Sequence, residues 1–202
     1  MTNRANVEEI CRLGPDYLGF IFYSRSVRYV GSNPDPGLFS DVPQSISKTA
    51  VFVNEYYERM IDITGKYGID VIQLHGMESP ETCNALRIHG KKVIKVFPGD
   101  QLENIKLLNN YTNAADYFLF DTPVLSYGGS GRKFDWSVLA GLKSNVKFFL
   151  SGGITVHDVE QLRSINIPAL YAADINSRFE VSEGIKDPEL VGKFIKALRD
   201  GE

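Results

Sequence analysis

Five short segments combine residue types that can bind an anion or move a proton. In the run Phe118-Leu-Phe-Asp-Thr-Pro-Val-Leu-Ser-Tyr-Gly-Gly-Ser-Gly-Arg-Lys-Phe-Asp-Trp136, an apolar stretch ends on Asp121, and Gly128-Gly129-Ser130-Gly131 follows. Successive glycines let backbone N–H groups converge on a phosphate, and a carboxyl beside them can act as an acid or a base. A second apolar stretch ends in Ser151-Gly152-Gly153-Ile154, and a third in Asp174-Ile175-Asn176-Ser177. Arg25 and Arg28 follow a fourth, and a guanidinium can grip a carboxylate through two parallel bonds. His75, in Gln73-Leu74-His75-Gly76, closes another apolar stretch as a candidate substrate contact.

The elements that would carry these residues are legible from periodicity. Apolar stretches at 17–22, 49–53, 71–74, 93–97, 117–120, 146–150 and 170–173 are short and rich in β-branched or aromatic residues. Most do not alternate with polar residues, which is the pattern of strands covered on both faces in a parallel sheet. Helix patterns lie between them at 55–67, 79–90, 100–110, 155–164 and 187–200, with a shorter one at 134–142. Ser79-Pro80-Glu81 and Asp187-Pro188-Glu189 each read as cap, proline and first-turn acid. Strands alternating with helices predict βαβ units, either in an open doubly wound sheet or in a closed barrel. A further helix, Ala5 to Leu13 with Thr2 or Asn3 as cap, precedes every strand. In a (β/α)₈ barrel each helix follows a strand, so a first strand is missing from this repeat or the sheet is open. If a strand does precede the opening helix, the loops at 151–154 and 174–177 follow the seventh and eighth strands, where barrels frequently hold a phosphate.

Composition narrows the function classes. The chain has 202 residues, 22 basic against 25 acidic, and a net charge of −3. This predicts one domain spanning 1–202, with no basic block for nucleic acid. No apolar run is long enough for a membrane span, and the first residues lack a signal peptide's apolar region. Three scattered histidines and no CxxC imply no metal, and Cys11 and Cys83 fall in helix patterns as packing residues. The expectation is a cytoplasmic protein binding a small phosphorylated ligand, without nucleic acid or membrane partners.

The order of these motifs resembles the phosphoribosylanthranilate isomerase family of tryptophan synthesis. The segments concerned are Leu18 to Tyr23 with Ser26-Val-Arg-Tyr29, Val51-Phe-Val-Asn54, Gln73-Leu-His-Gly76, Asp121 through Gly128–Gly131 to Phe134-Asp-Trp136, Leu150 to Ile154, Asp174 to Ser177, and Gly184-Ile-Lys-Asp187. The resemblance implies a minimal (β/α)₈ TIM barrel and an Amadori rearrangement of N-(5'-phosphoribosyl)anthranilate, without cofactor or metal, by a monomer or homodimer. It implies Asp121 as general acid, Arg28 on the anthranilate carboxylate and Asp174 near the anthranilate amine. Gly129, Ser130, Gly131, Gly152, Gly153, Asn176 and Ser177 would form the phosphate cradle. Two departures stand out. The family's general base is a cysteine in Lys-x-Cys-Gly on the first strand, and the sequence from Met1-Thr2-Asn3 holds no counterpart. Arg178 stands where many members have glycine, either adding charge near the phosphate or facing solvent, with solvent the favoured expectation. The polypeptide 1–202 is therefore expected to turn over little or not at all, and the alternative is a phosphosugar-binding barrel without activity.

Overall fold

The computed structural model describes residues 1–99, 105–122, 135–142 and 145–200. Seven parallel strands form one sheet in sequence order: β1 Tyr17–Ile21, β2 Ser47–Phe52, β3 Val71–Leu74, β4 Lys92–Pro98, β5 Tyr117–Asp121, β6 Phe148–Leu150 and β7 Leu170–Ala173. All seven expected strands are present. Helices α1 Arg4–Cys11, α2 Gly37–Ser40, α3 Tyr57–Lys66, α4 Pro80–Ile88, α5 Ile105–Tyr111, α6 Val159–Ser164 and α7 Pro188–Arg199 connect and cover them.

Local chemistry sets the helix starts. Asn3, not Thr2, caps α1, its side chain accepting from Asn6 N. Ser79 and Asp187 cap α4 and α7, each ahead of a proline. Thr155 and Asp158 close a reciprocal capping box before α6. Two expectations change at the edges. The segment expected at 134–142 is a 3₁₀-helix, Trp136–Gly141, and residues 100–104 of the helix expected at 100–110 lie outside the described residues. The short α2 and an antiparallel hairpin, β8 Glu180–Ser182 with β9 Ile185–Lys186, were not expected. Both are too short to impose a hydrophobic period.

The strands are buried on both faces, as their composition requires. Phe20, Phe52, Ile72, Phe118, Phe120 and Phe148 point to the helix layer. Val71, Ile94, Val96, Leu119 and Phe149 form a second cluster with Tyr17, Tyr117 and Ala172 on the opposite face. The sheet is rolled: Tyr17 of β1 and Tyr171 of β7, at its two edges, bring their hydroxyls to 3.3 Å. The second cluster is therefore the inside of a barrel of the (β/α)₈ type.

Among the described residues no strand stands between β7 and β1. Instead the Met1 amino group donates to Gly19 O at the β1 edge (3.0 Å). A cavity of about 480 Å³ opens there, lined by inward residues of the barrel and by Val191, Phe194 and Leu198 of α7. No helix among the described residues is long and apolar enough to cross a membrane.

Candidate active site

Side chains alternate along a strand, so the inward register of β5 and β7 carries two acids to the carboxyl ends of the strands. Asp121 follows Tyr117 and Leu119 inward, and Asp174 follows Ala172; both line the cavity. His75, just beyond β3, places Nε2 3.5 Å from Asp121 Oδ2. The other Asp121 oxygen accepts from Thr122 N at 2.8 Å, which fixes the carboxylate plane. Asp174 is pushed up to about 6, first by burial and next by the charge of Asp121, against the opposing pull of Lys186 and His75. A carboxyl tuned into this range can hold or release a proton near neutral pH.

The two arginines part company. Arg25 is exposed. Arg28 lines the cavity and is clasped side-on by Glu180: Nε donates to both carboxylate oxygens (3.0 and 2.9 Å) and Nη2 to Oε2 (2.7 Å). Its loop is held back on β1 by Val30 N donating to Ile21 O, and is tightened internally by Arg28 N donating to Ser26 Oγ. Lys186 Nζ donates to the same Glu180 (2.8 Å) and to the carbonyl oxygen of Asn176 (3.1 Å). Burial pushes Lys186 down from the usual lysine range, while Glu180 opposes that shift.

The small-residue loops lie across the mouth. Gly152 and Gly153 adopt φ of 92° and 68°, the left-handed region that favours glycine. At Gly152 a Cβ would meet Thr122 N at 2.6 Å, so glycine is required twice over. Asn176 and Ser177 stand at the start of a 3₁₀ turn, Ser177–Phe179. Gly152, Gly153, Asn176, Ser177 and Arg178 all line the cavity. Arg178 is exposed while also lining the cavity, so it faces both solvent and the expected phosphate loops. Gly129, Ser130 and Gly131 lie outside the described residues.

Behind His75 sits a second charged pair. Lys95 Nζ lies 3.2 Å from Glu78 Oε2, with side chains 3% and 2% exposed. Glu78 also accepts from Asn54 N (2.8 Å) and Gly76 N (3.0 Å), and Lys95 donates to Leu74 O and Gly76 O. This network fixes the loop from β3 that presents His75. Three contributors escaped the sequence reading: Glu180, Lys186 and Thr122. Thr122 lines the cavity, and its buried hydroxyl has no hydrogen-bond partner among the described residues. The segment Gly184-Ile-Lys-Asp187 was a usable signal for Lys186; Glu180 had none, because only the hairpin brings it to Arg28.

Cys11 and Cys83 are in α1 and α4, neither lines the cavity, and burial pushes the Cys83 thiol up to about 11. Among the described residues no three His, Cys, Asp or Glu side chains cluster as metal ligands would.

The model of the family described as N-(5'phosphoribosyl)anthranilate (PRA) isomerase matches residues 1–197. This chain belongs to that family. The isomerase of Parabacteroides distasonis is 41% identical over 199 residues, covering 98% of this chain and 90% of that protein. The Thermotoga neapolitana enzyme is 37% identical over 188 residues, covering 92% and 89%. The crystal structure of the Thermotoga maritima isomerase superposes with a TM-score of 0.87 at 29% identity, covering 99% of this chain and 96% of that one. A PRA isomerase solved with reduced 1-(o-carboxyphenylamino)-1-deoxyribulose 5-phosphate gives 0.81 at 27% identity, covering 99% and 95%.

Proposed function

We propose that the cavity at the carboxyl ends of the strands is the site where N-(5'-phosphoribosyl)anthranilate is isomerised in tryptophan biosynthesis. The observation that carries this reading is the convergence of Asp121, Asp174, Arg28 and the loops at 152–153 and 176–177 on one cavity. In this reading residues 1–202 act as one barrel domain. The phosphate lies against Gly152, Gly153, Asn176 and Ser177; Gly129, Ser130 and Gly131, outside the described residues, are the further phosphate ligands that the family resemblance implies. Positive-φ glycines turn backbone N–H groups toward such an anion. The anthranilate carboxylate takes Arg28, and Asp174 faces the anthranilate amine.

Three proton-transfer stages carry the reaction. A general acid protonates the ring oxygen as its bond to C1 breaks and the nitrogen lone pair forms the iminium; Asp121, which lines the cavity, is assigned this role in this reading. A general base next removes the C2 proton to give the enolamine, which becomes the aminoketose by gaining a proton at C1 and losing that of the 2-hydroxyl. A general base contributes about 10²–10⁴-fold. Neither cysteine of residues 1–202 lines the cavity, so this polypeptide is expected to bind the substrate's chemical features while turning over slowly. The protein would work in the cytoplasm as a monomer or homodimer, on a phosphosugar alone.

The test compares turnover of residues 1–202 with that of the same chain carrying a Lys-x-Cys-Gly strand ahead of Met1. We expect the longer chain to be faster by about 10²–10⁴-fold, the usual contribution of a general base. Equal rates would overturn the assignment of the missing base. The second reading, a phosphosugar-binding barrel without activity, rests on Cys11 and Cys83 both standing outside the cavity lining. It would hold if both chains bound the product analogue and neither turned over.

A further inference from the structure

We propose that Glu180 is the positioning residue that makes Arg28 a reader of the ligand's aromatic carboxylate. The proposal rests on the reading above that Arg28 receives that group. Arginine carries five N–H donors in a planar fork, and it can serve two carboxylates when each takes a different edge. Glu180 takes the side edge, through Nε and one hydrogen of Nη2 (2.7–3.0 Å). The end edge, formed by Nη1 and the second hydrogen of Nη2, is left over. Arg28 lines the cavity, whereas Glu180 does not, so Glu180 stands behind the guanidinium.

Glu180 is itself held rigidly. Its side chain is 4% exposed, and Oε1 accepts from Lys186 Nζ (2.8 Å) and Gly184 N (3.1 Å). The β8–β9 hairpin pairs Glu180 with Lys186 in register, and Asn6 of α1 pins that hairpin through two bonds of 2.8 Å to the Lys186 backbone. Lys186 reaches on to the Asn176 side chain and carbonyl. One buried carboxylate thus connects the arginine on one side of the cavity with the loop expected to hold phosphate on the other. It also separates two cations that would otherwise repel each other in a poorly hydrated site. Burial favours its neutral form, but Arg28 and Lys186 together keep its carboxyl below the usual glutamate range, so it stays charged at neutral pH.

The test uses two probes: reduced 1-(o-carboxyphenylamino)-1-deoxyribulose 5-phosphate and its counterpart with a plain phenyl ring. Calorimetry gives the affinity of residues 1–202 and of its Glu180→Gln and Glu180→Asp variants for each. The unaltered chain should prefer the carboxylate-bearing probe by about 10–100-fold, the range of a charge-assisted hydrogen bond. Glu180→Gln should lose most of that preference; a change in its binding of the plain phenyl probe reports the link through Lys186 to the phosphate loop, and the ratio of the two affinities reads the role at Arg28. Glu180→Asp keeps the charge one methylene short and should fall between the two; it carries the test if the Gln variant does not fold. Full preference in either variant, or equal weakening of both probes, would overturn the proposal. No preference in the unaltered chain would instead overturn the role of Arg28, and this inference with it.

Discussion

Two charged pairs are anchored three residues apart on the loop after β3, and they do opposite work. Lys95–Glu78 is closed at 3.2 Å with side chains 3% and 2% exposed, and its polar atoms are used up by the backbone around them. His75–Asp121 is open at 3.5 Å with side chains 36% and 28% exposed, on the wall of the cavity. A dry, saturated pair cannot release a partner without leaving a buried charge, so it holds a shape. A wet, loose pair contributes little to stability, and its polar atoms stay accessible to a ligand in the cavity. The candidate site thus sets a half-exposed pair of charges upon a buried, saturated one.

Breaking the pairs in turn should separate chemistry from scaffold. The largest effect is expected from Asp121→Asn in the chain extended with a Lys-x-Cys-Gly strand. Turnover should fall by about 10²–10⁴-fold, as for loss of a general acid, with little change in melting temperature. Glu78→Ala should do the reverse. Leaving Lys95 unpaired should cost about 3–5 kcal/mol of stability, read by urea unfolding, and a loss below about 1 kcal/mol would mean the pair is not the scaffold described here.

Asp174 should report the pH dependence. Its carboxyl stands at about 6 in the folded protein against 3.8 ordinarily, so the folded state binds its proton more tightly than the unfolded state. The stability this group contributes is full below about pH 4, declines as pH rises through 6, and is then lost. Asp174→Asn should therefore gain on the parent chain across that window, by up to about 3 kcal/mol for a shift of that size. A constant difference between pH 4 and 7 would contradict the shift. The smallest effect belongs to His75→Gln: a stability change within about 1 kcal/mol, as for an exposed pair. A larger loss in urea unfolding would place His75 in the scaffold.

The sequence shows the scaffold's elements more readily than its connections. All seven strands were legible because strands buried on both faces must be apolar throughout. The helix starts at Ser79 and Asp187 were legible because a cap followed by proline is local chemistry. Asp121 and Asp174 could be placed because each directly ends an apolar strand. Glu180 could not, since its meaning depends on Arg28, 152 residues away, and on a hairpin of only a few residues. Lys95 was hidden for a related reason: it sits inside an apolar strand, and only the fold shows that Glu78 and three carbonyls surround its ammonium group.

The most direct measurement is calorimetric titration of residues 1–202 with reduced 1-(o-carboxyphenylamino)-1-deoxyribulose 5-phosphate, alongside Arg28→Met. Binding at one site per chain, weakened about 10–100-fold by the substitution as expected for a charged hydrogen-bonded contact, is the predicted result. Absence of saturable binding, or binding that Arg28→Met leaves unchanged, would contradict the assignment of this cavity as the isomerase site.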